Sequence, residues 1–317
     1  MKKVLVTRKL LQSNEERIKK LWNANFNSND EIYSDKKIID LSKNCDAILS
    51  SVVDKIDENV INKLSDKVKI ISNFAVGFGN IDIEAARKRN IAVTNTPDVL
   101  TDATAEITML LILGASRRAT EGMKLAREKN WRWSADFLIG KQLSGSRLGI
   151  LGMGRIGRAV AKRAKAFGME IHYHNRTKLN STMEQGAIYH KNVKSLFSAS
   201  DILSINCPAT NETANIINKK TLEFFPKGAV ITNSARGDMI EDEAMVEALK
   251  SKKIYGLGLD VYKGEPNIHP GYLSLPNVFV LPHLGSATEK TRIDMADLAI
   301  SNIEIFFNTG KCKNIVN

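Results

Sequence analysis

Short apolar runs recur along the chain, at residues 4–7, 47–50, 68–72 and 91–94, and again at 148–151, 170–174, 202–206, 229–233, 254–259 and 278–281. Most are apolar at successive positions rather than at alternate ones. Polar stretches with helical spacing lie between them, for example at 14–22 and 82–89. Strand and helix therefore alternate from end to end, which predicts an α/β protein with parallel sheets.

Two longer segments shape the domain picture. Residues 101–118, "TDATAEITMLLILGASRR", are apolar nearly all round, so this helix is expected to be buried at a domain or subunit interface. Thr101 is its expected N-cap, with Asp102 near the positive helix end. Residues 287–307 are also helical and are expected to return to the first domain. The expected division is a discontinuous domain of residues 1–98 and 286–317 around a second domain of residues 99–285. Both would be Rossmann-like or flavodoxin-like, with an active site in the cleft between them.

The chain has 317 residues, 43% hydrophobic and 26% charged, enough for two domains of ordinary size. The strongest apolar stretch, residues 107–113, is far too short to span a bilayer. The N-terminus lacks a signal-peptide core, so a cytoplasmic protein without a membrane partner is expected. Cys45, Cys207 and Cys312 form no CxxC pair, which suits a reducing compartment. Neither they nor the five histidines show metal-ligand spacing, so no metal is expected. The net charge of +11 comes from scattered lysines rather than a basic arm, and no nucleic-acid-binding signature accompanies it. It is read as a solvated surface that helps attract anions.

Gly152-Met153-Gly154-Arg155-Ile156-Gly157 fits GxGxxG between an apolar strand and a helix at 158–167, with a further strand beyond. That context makes it a dinucleotide phosphate turn. Gly152 permits the tight turn, Gly154 lets a pyrophosphate approach, and Gly157 lets the helix pack closely on the sheet. The next strand ends at Asn175-Arg176-Thr177-Lys178. Many dinucleotide folds place there an acid that takes the ribose hydroxyls. Asn175 removes its repulsion, and Arg176, with Lys178 behind, suits a 2′-phosphate. The expected cofactor is NADP(H), with NAD(H) also possible. Alternatively, Arg176 stacks on adenine or faces solvent.

Three more strand ends carry candidate chemistry. Arg236, in "NSARG", follows a buried strand and could grip a carboxylate bidentately, or else pair with Asp238 or Glu241. "YGLGLDVYKGEP" supplies Asp260 and Glu265, and "VFVLPHLGSAT" supplies His283 and Gly285. A lone His is usually structural and a lone Glu usually solvated. A carboxylate beside an imidazole, however, favours the protonated ring, a usable acid near neutral pH.

Through "SNFAVGFGNID", "TPDVLTDATAE", "GILGMGRIGRAVA", "NSARGDMIEDEA", "GLGLDVYKGEP" and "LPHLGSAT", the chain resembles the D-isomer-specific 2-hydroxyacid dehydrogenase family over essentially its full length. "LTDATAE" and "HNRTK" are most similar to its glyoxylate/hydroxypyruvate reductase branch. The resemblance implies that Arg236 binds and polarises a small 2-oxo acid, His283 donates the proton, and Glu265 holds His283. It implies that the N–H groups of Val76 and Gly77 bind the substrate carboxylate and that Val52 lines an apolar substrate position. Asp260 would contact the nicotinamide amide, with Thr104 at the same end of the cofactor. Cys207 and Pro208 would lie beside the adenosine. Arg155, Ile156, Thr177, Ser234, Ala235, His283 and Gly285 match further cofactor positions.

The resemblance also implies a homodimer. Where some members place a tryptophan in the partner's active site, Phe137 stands here, with Trp131 and Trp133 nearby as possible packing residues. A 3-phosphoglycerate dehydrogenase with a C-terminal regulatory domain is disfavoured because the chain ends at Asn317. D-lactate-type and formate-type enzymes are disfavoured by the segments around Glu265 and His283. A non-enzymatic dinucleotide-sensing scaffold is the alternative outside enzymes.

Overall fold

The computed structural model describes residues 1–317. The chain forms two compact units, Met1–Leu100 with Ala287–Asn317, and Thr101–Ser286.

The first unit is built on five parallel strands: β1 (Lys3–Val6), β2 (Asn23–Phe26), β3 (Ala47–Ser51), β4 (Ile70–Phe74) and β5 (Ala92–Thr94). Their order in the sheet is β2-β1-β3-β4-β5. Successive side chains of a strand point to opposite faces, and here both faces are covered. Leu5, Ile48, Ile71 and Val93 pack into one core. Val4, Val6, Leu49 and Ile70 pack into the other, against Ile300 and Ile303 of the helix Glu289–Thr309. Thr288 caps that helix by accepting from Thr291 N–H, and Gly310, at φ 70°, ends it.

The second unit holds seven parallel strands: β6 (Arg147–Leu151), β7 (Glu170–His174), β8 (Ile188–Tyr189), β9 (Ile202–Ile205), β10 (Ala229–Asn233), β11 (Ile254–Leu259) and β12 (Val278–Val280). The order is β12-β11-β10-β9-β6-β7-β8. The order reverses beside β6, so the carboxyl ends of β6 and β9 flank the crevice where this architecture binds ligands. The helix Thr101–Ser116 buries Ala105, Met109 and Ile112 in the core beneath the sheet.

Three local expectations change. Strands β2 and β8 were not legible as apolar runs. Both are edge strands, and "NANF" and a two-residue strand bury too little to need one. Thr101 is not a cap, because the turn at Val99 and Leu100 runs straight into the helix and makes Thr101 its first residue. The helix after the glycine turn starts at Arg155 rather than 158 and runs to Ala166. No helix is long and apolar enough to cross a membrane.

Candidate active site

The glycine turn joins β6 to the helix Arg155–Ala166. Gly152 has φ 93°, and a Cβ there would lie 2.5 Å from the backbone nitrogen of Cys207, so both its conformation and its neighbour require glycine. A Cβ on Gly157 would lie 2.4 Å from the carbonyl oxygen of Gly152. Gly154 differs, since a Cβ there would meet nothing within 4 Å. The space beside it is open to an approaching group. Gly154 is the helix N-cap and offers no side-chain cap, and the first turn carries no acid. A helix start without a side-chain cap and without an acid in its first turn suits a pyrophosphate.

At the end of β7, Asn175 Oδ1 accepts from the backbone N–H of Met153 at 2.6 Å. The residue expected at the ribose thus also holds the phosphate turn. Arg176 and Thr177 are exposed. The Arg176 guanidinium has no partner within the chain, whereas Lys178 lies 3.8 Å from Glu184. Cys207 and Pro208 follow β9 opposite the turn, and burial pushes the Cys207 thiol up to about 11. It is an apolar wall rather than a reactive thiolate.

The acid–base groups stand after β10, β11 and β12. His283 Nδ1 lies 2.6 Å from Glu265 Oε2, and Glu265 Oε1 accepts from Tyr262 N–H at 2.9 Å. Burial pushes the Glu265 carboxyl up. The His283 hydrogen bond, the Tyr262 N–H and the neighbouring His283 and Arg236 outweigh it and hold the group below its usual range. Glu265 is therefore a carboxylate, clamped between backbone and imidazole.

Asp260, almost wholly buried, accepts from Leu284 N–H at 2.6 Å and Gly285 N–H at 2.8 Å. Both oxygens are thus engaged in holding the loop that carries His283, a role the sequence did not announce. Burial raises its carboxyl, against the pull of those N–H groups and of His283. Tyr262 adds a second tie through its hydroxyl, which donates to Leu281 O at 2.7 Å. His283 itself sits at φ 56°, a backbone conformation that side chains seldom adopt. Gly285 is close to Asp260 and Thr104, whose carbonyl accepts from the Thr108 hydroxyl. That hydroxyl also bonds Ser234 Oγ at 2.7 Å.

Arg236 makes no ion pair with Asp238 or Glu241. Its one acceptor is the neighbouring carbonyl of Ala235, at 2.6 Å. Burial lowers the pKa of its guanidinium, countered by Glu265 and Asp238, and at so high a starting value it stays cationic. Buried Asn233 shapes the loop, donating to Arg236 O and accepting from Ala235 N–H. A Cβ on Gly237 would lie 2.0 Å from the backbone carbon of Tyr262, so this glycine lets the Arg236 loop rest on the Glu265 loop. A cation with spare donors thus stands beside an imidazole–carboxylate pair, a set suited to polarising a carbonyl and protonating its oxygen.

In the first unit, Val52 is half-buried after β3, and Val76 and Gly77 lie in the bend after β4. Trp131 and Trp133 do not pack in a core. Both are exposed, and Trp131 stacks on Phe137 with ring centroids 6.5 Å apart.

Residues 109–285 match the family described as D-isomer specific 2-hydroxyacid dehydrogenase, NAD binding domain. The chain is 40% identical over 309 residues to a glycerate dehydrogenase of Hyphomicrobium methylovorum, covering 96% of each. It is 37% identical to a glyoxylate reductase of Thermococcus litoralis, covering 99% of this chain and 96% of the other. Among solved structures, an NADPH-dependent glyoxylate/hydroxypyruvate reductase from Sinorhizobium meliloti, in complex with NADP and malonate, superposes with a TM-score of 0.89 at 32% identity. That match covers 99% of this chain and 96% of the other.

Proposed function

The chain belongs to the D-isomer-specific 2-hydroxyacid dehydrogenase family of NAD(P)-dependent oxidoreductases, and from that premise we propose that it is an NADPH-linked reductase of glyoxylate and hydroxypyruvate. The observation that carries the reading is the 2.6 Å contact between His283 and Glu265, beside a guanidinium with donors to spare.

A dinucleotide fits the residues present. The open side of Gly154 and the uncapped helix receive the pyrophosphate, Cys207 and Pro208 border the adenosine, and Arg176 takes the 2′-phosphate. Thr104, Ser234, Ala235, Asp260 and Gly285 belong to the nicotinamide end. The chemistry supplied by the bound cofactor is a hydride for the carbonyl carbon. The chain does the rest. Arg236 holds the 2-oxo acid and stabilises charge developing on the carbonyl oxygen. The N–H groups of Val76 and Gly77 take the carboxylate, and Val52 faces the substrate. Glu265 engages Nδ1 of His283, so Nε2 is the atom that passes its proton to the oxygen. Carbon gains the hydride and oxygen the proton, giving glycolate from glyoxylate and a D-2-hydroxy acid from hydroxypyruvate.

The likeness to a glycerate dehydrogenase favours a second emphasis within the same chemistry, since glycerate is reduced hydroxypyruvate. The exposed Trp131, Trp133, Phe137 and Ile139 support a homodimer built on that segment, which light scattering tests directly. The decisive experiment measures initial rates of NADPH and NADH oxidation with glyoxylate, hydroxypyruvate and pyruvate. Fast turnover of the first two with NADPH is expected. Turnover with NADH alone overturns the cofactor reading. Cofactor binding without turnover of any acid returns the protein to a scaffold role.

A further inference from the structure

The bend after β4 has an unusual hydrogen-bond balance. Three consecutive carbonyls are each held by a donor from the body of the first unit. Ala75 O accepts from Thr96 N–H at 2.9 Å, Val76 O from Asn95 Nδ2 at 2.8 Å, and Gly77 O from Asn73 Nδ2 at 3.0 Å. The three N–H groups of the same peptide units, those of Val76, Gly77 and Phe78, donate to nothing in the chain. In this half-buried bend the carbonyls are all held by the chain, and the three successive N–H groups are left to solvent or to a ligand.

Peptide geometry connects the two halves. In a trans peptide the C=O and the following N–H point in opposite directions across one plane. The single cis bond of this protein lies at Glu265–Pro266, so these units are trans. Whatever holds the carbonyl of Val76 therefore aims the N–H of Gly77 away from itself, and whatever holds the carbonyl of Gly77 aims the N–H of Phe78. The holders are two side-chain amides. Asn73 is fully buried and further tied by Ser50 Oγ and Asn80, and Asn95 is almost as buried. A bend whose successive N–H groups have no partner in the chain is a setting for an anion-binding concavity.

We propose that Asn73 and Asn95 are positioning residues that aim the N–H groups of Phe78 and Gly77 at the carboxylate of the 2-oxo acid, Phe78 adding a third donor to those of Val76 and Gly77. This rests on the reductase reading and extends it to residues that never touch the substrate. Asparagine suits the task because its amide donates without charge. A carboxylate of the same shape would repel the carbonyl it must hold.

The test uses Asn95→Leu and Asn73→Leu, which keep the branched shape, remove the donor and add no charge. KM and kcat for glyoxylate, the competitive inhibition constant of oxalate, and NADPH affinity by fluorescence titration are measured for each. KM and the oxalate constant are expected to rise about tenfold, with kcat changed less than about threefold and NADPH affinity unchanged, because ground-state and transition-state binding of the carboxylate are lost together. Unchanged KM and oxalate binding in both variants overturn the inference, as does a fall in kcat at constant KM. Should Asn73→Leu fail to fold, Asn95→Leu and the smaller Asn95→Ser decide. Failure of oxalate to compete in the wild type sinks the reductase reading itself, an outcome separate from wild-type competition that the variants leave intact.

Discussion

Asn175 Oδ1 and the backbone nitrogen of Met153 lie 2.6 Å apart, so one side chain ties the end of β7 to the glycine turn after β6. A backbone N–H can only donate, so the amide oxygen must face the turn and the NH2 must face away. The outward group at the ribose position is therefore a donor, which suits phosphate oxygens. An aspartate would keep the bond to Met153 and present a charged acceptor instead. Asn175→Asp is expected to lower NADPH affinity about tenfold or more while NADH affinity holds or rises. Fluorescence titration with each cofactor checks this, and equal losses for both would assign Asn175 to the turn alone.

Arg176 is exposed and unpaired, so its removal disturbs no internal contact. Arg176→Ala is expected to weaken NADPH binding roughly ten- to a hundredfold and leave NADH binding and thermal stability unchanged. Binding of 2′,5′-ADP against 5′-AMP isolates the effect. Equal binding of the two by the wild type would remove Arg176 from phosphate recognition.

Gly154 and Gly157 are predicted to fail in different ways. Gly154→Ala adds a methyl to open space, so the protein should melt normally and lose dinucleotide affinity. Gly157→Ala drives a methyl against the Gly152 carbonyl and should cost about 1–3 kcal/mol of stability. Melting curves and NADPH titrations on the pair separate the two, and a stability loss in Gly154→Ala would contradict the assignment.

His283→Gln should lower kcat about a hundredfold or more with NADPH affinity intact, because only the acid is lost. Arg236→Lys should raise KM and lower kcat together, since an ammonium cannot reproduce the planar fork. Steady-state kinetics with glyoxylate decide both. Near-normal turnover in either variant reassigns that residue to structure.

The pH dependence follows from Glu265. Its carboxyl is held below the ordinary glutamate range in the folded chain, so the unfolded state binds the proton more readily. The stability contributed by its contacts is present above the ordinary glutamate pKa of about 4.3 and is lost as pH falls through the lowered folded value. Melting temperatures between about pH 3 and 6 should show the wild type's advantage over Glu265→Gln shrinking toward the acid end. A constant gap would mean that Glu265 does not titrate as the structure implies.

The strands were legible because both sheet faces are covered. Val4, Leu5 and Val6 are all buried, and along Ile254–Leu259 buried Ile254, Leu257 and Leu259 alternate with glycines pressed against the helix Thr101–Ser116. Strands β2 and β8 were not legible because "NANF" is half polar with no fully buried position and β8 has only two residues. The glycine turn was legible for a local reason, since turn, close approach and helix start fall within six residues. The sequence pointed to Asp260 through its motif, yet its two bonds reach 24 and 25 residues ahead to a loop whose path depends on the sheet.

The sequence by itself determined the alternation of strand and helix, the phosphate turn, and which side chains carry charge and protons after β10, β11 and β12. These are properties of residue type and of neighbours within a few positions. Only the tertiary structure decided that Asn175 holds Met153, that Arg236 keeps its donors rather than pairing with Asp238 or Glu241, and that Asn95 faces the carbonyl of Val76. Each is a question of which donor meets which acceptor. A sequence lists the donors and acceptors, and parallel strands, which join residues far apart in the chain, choose the pairs.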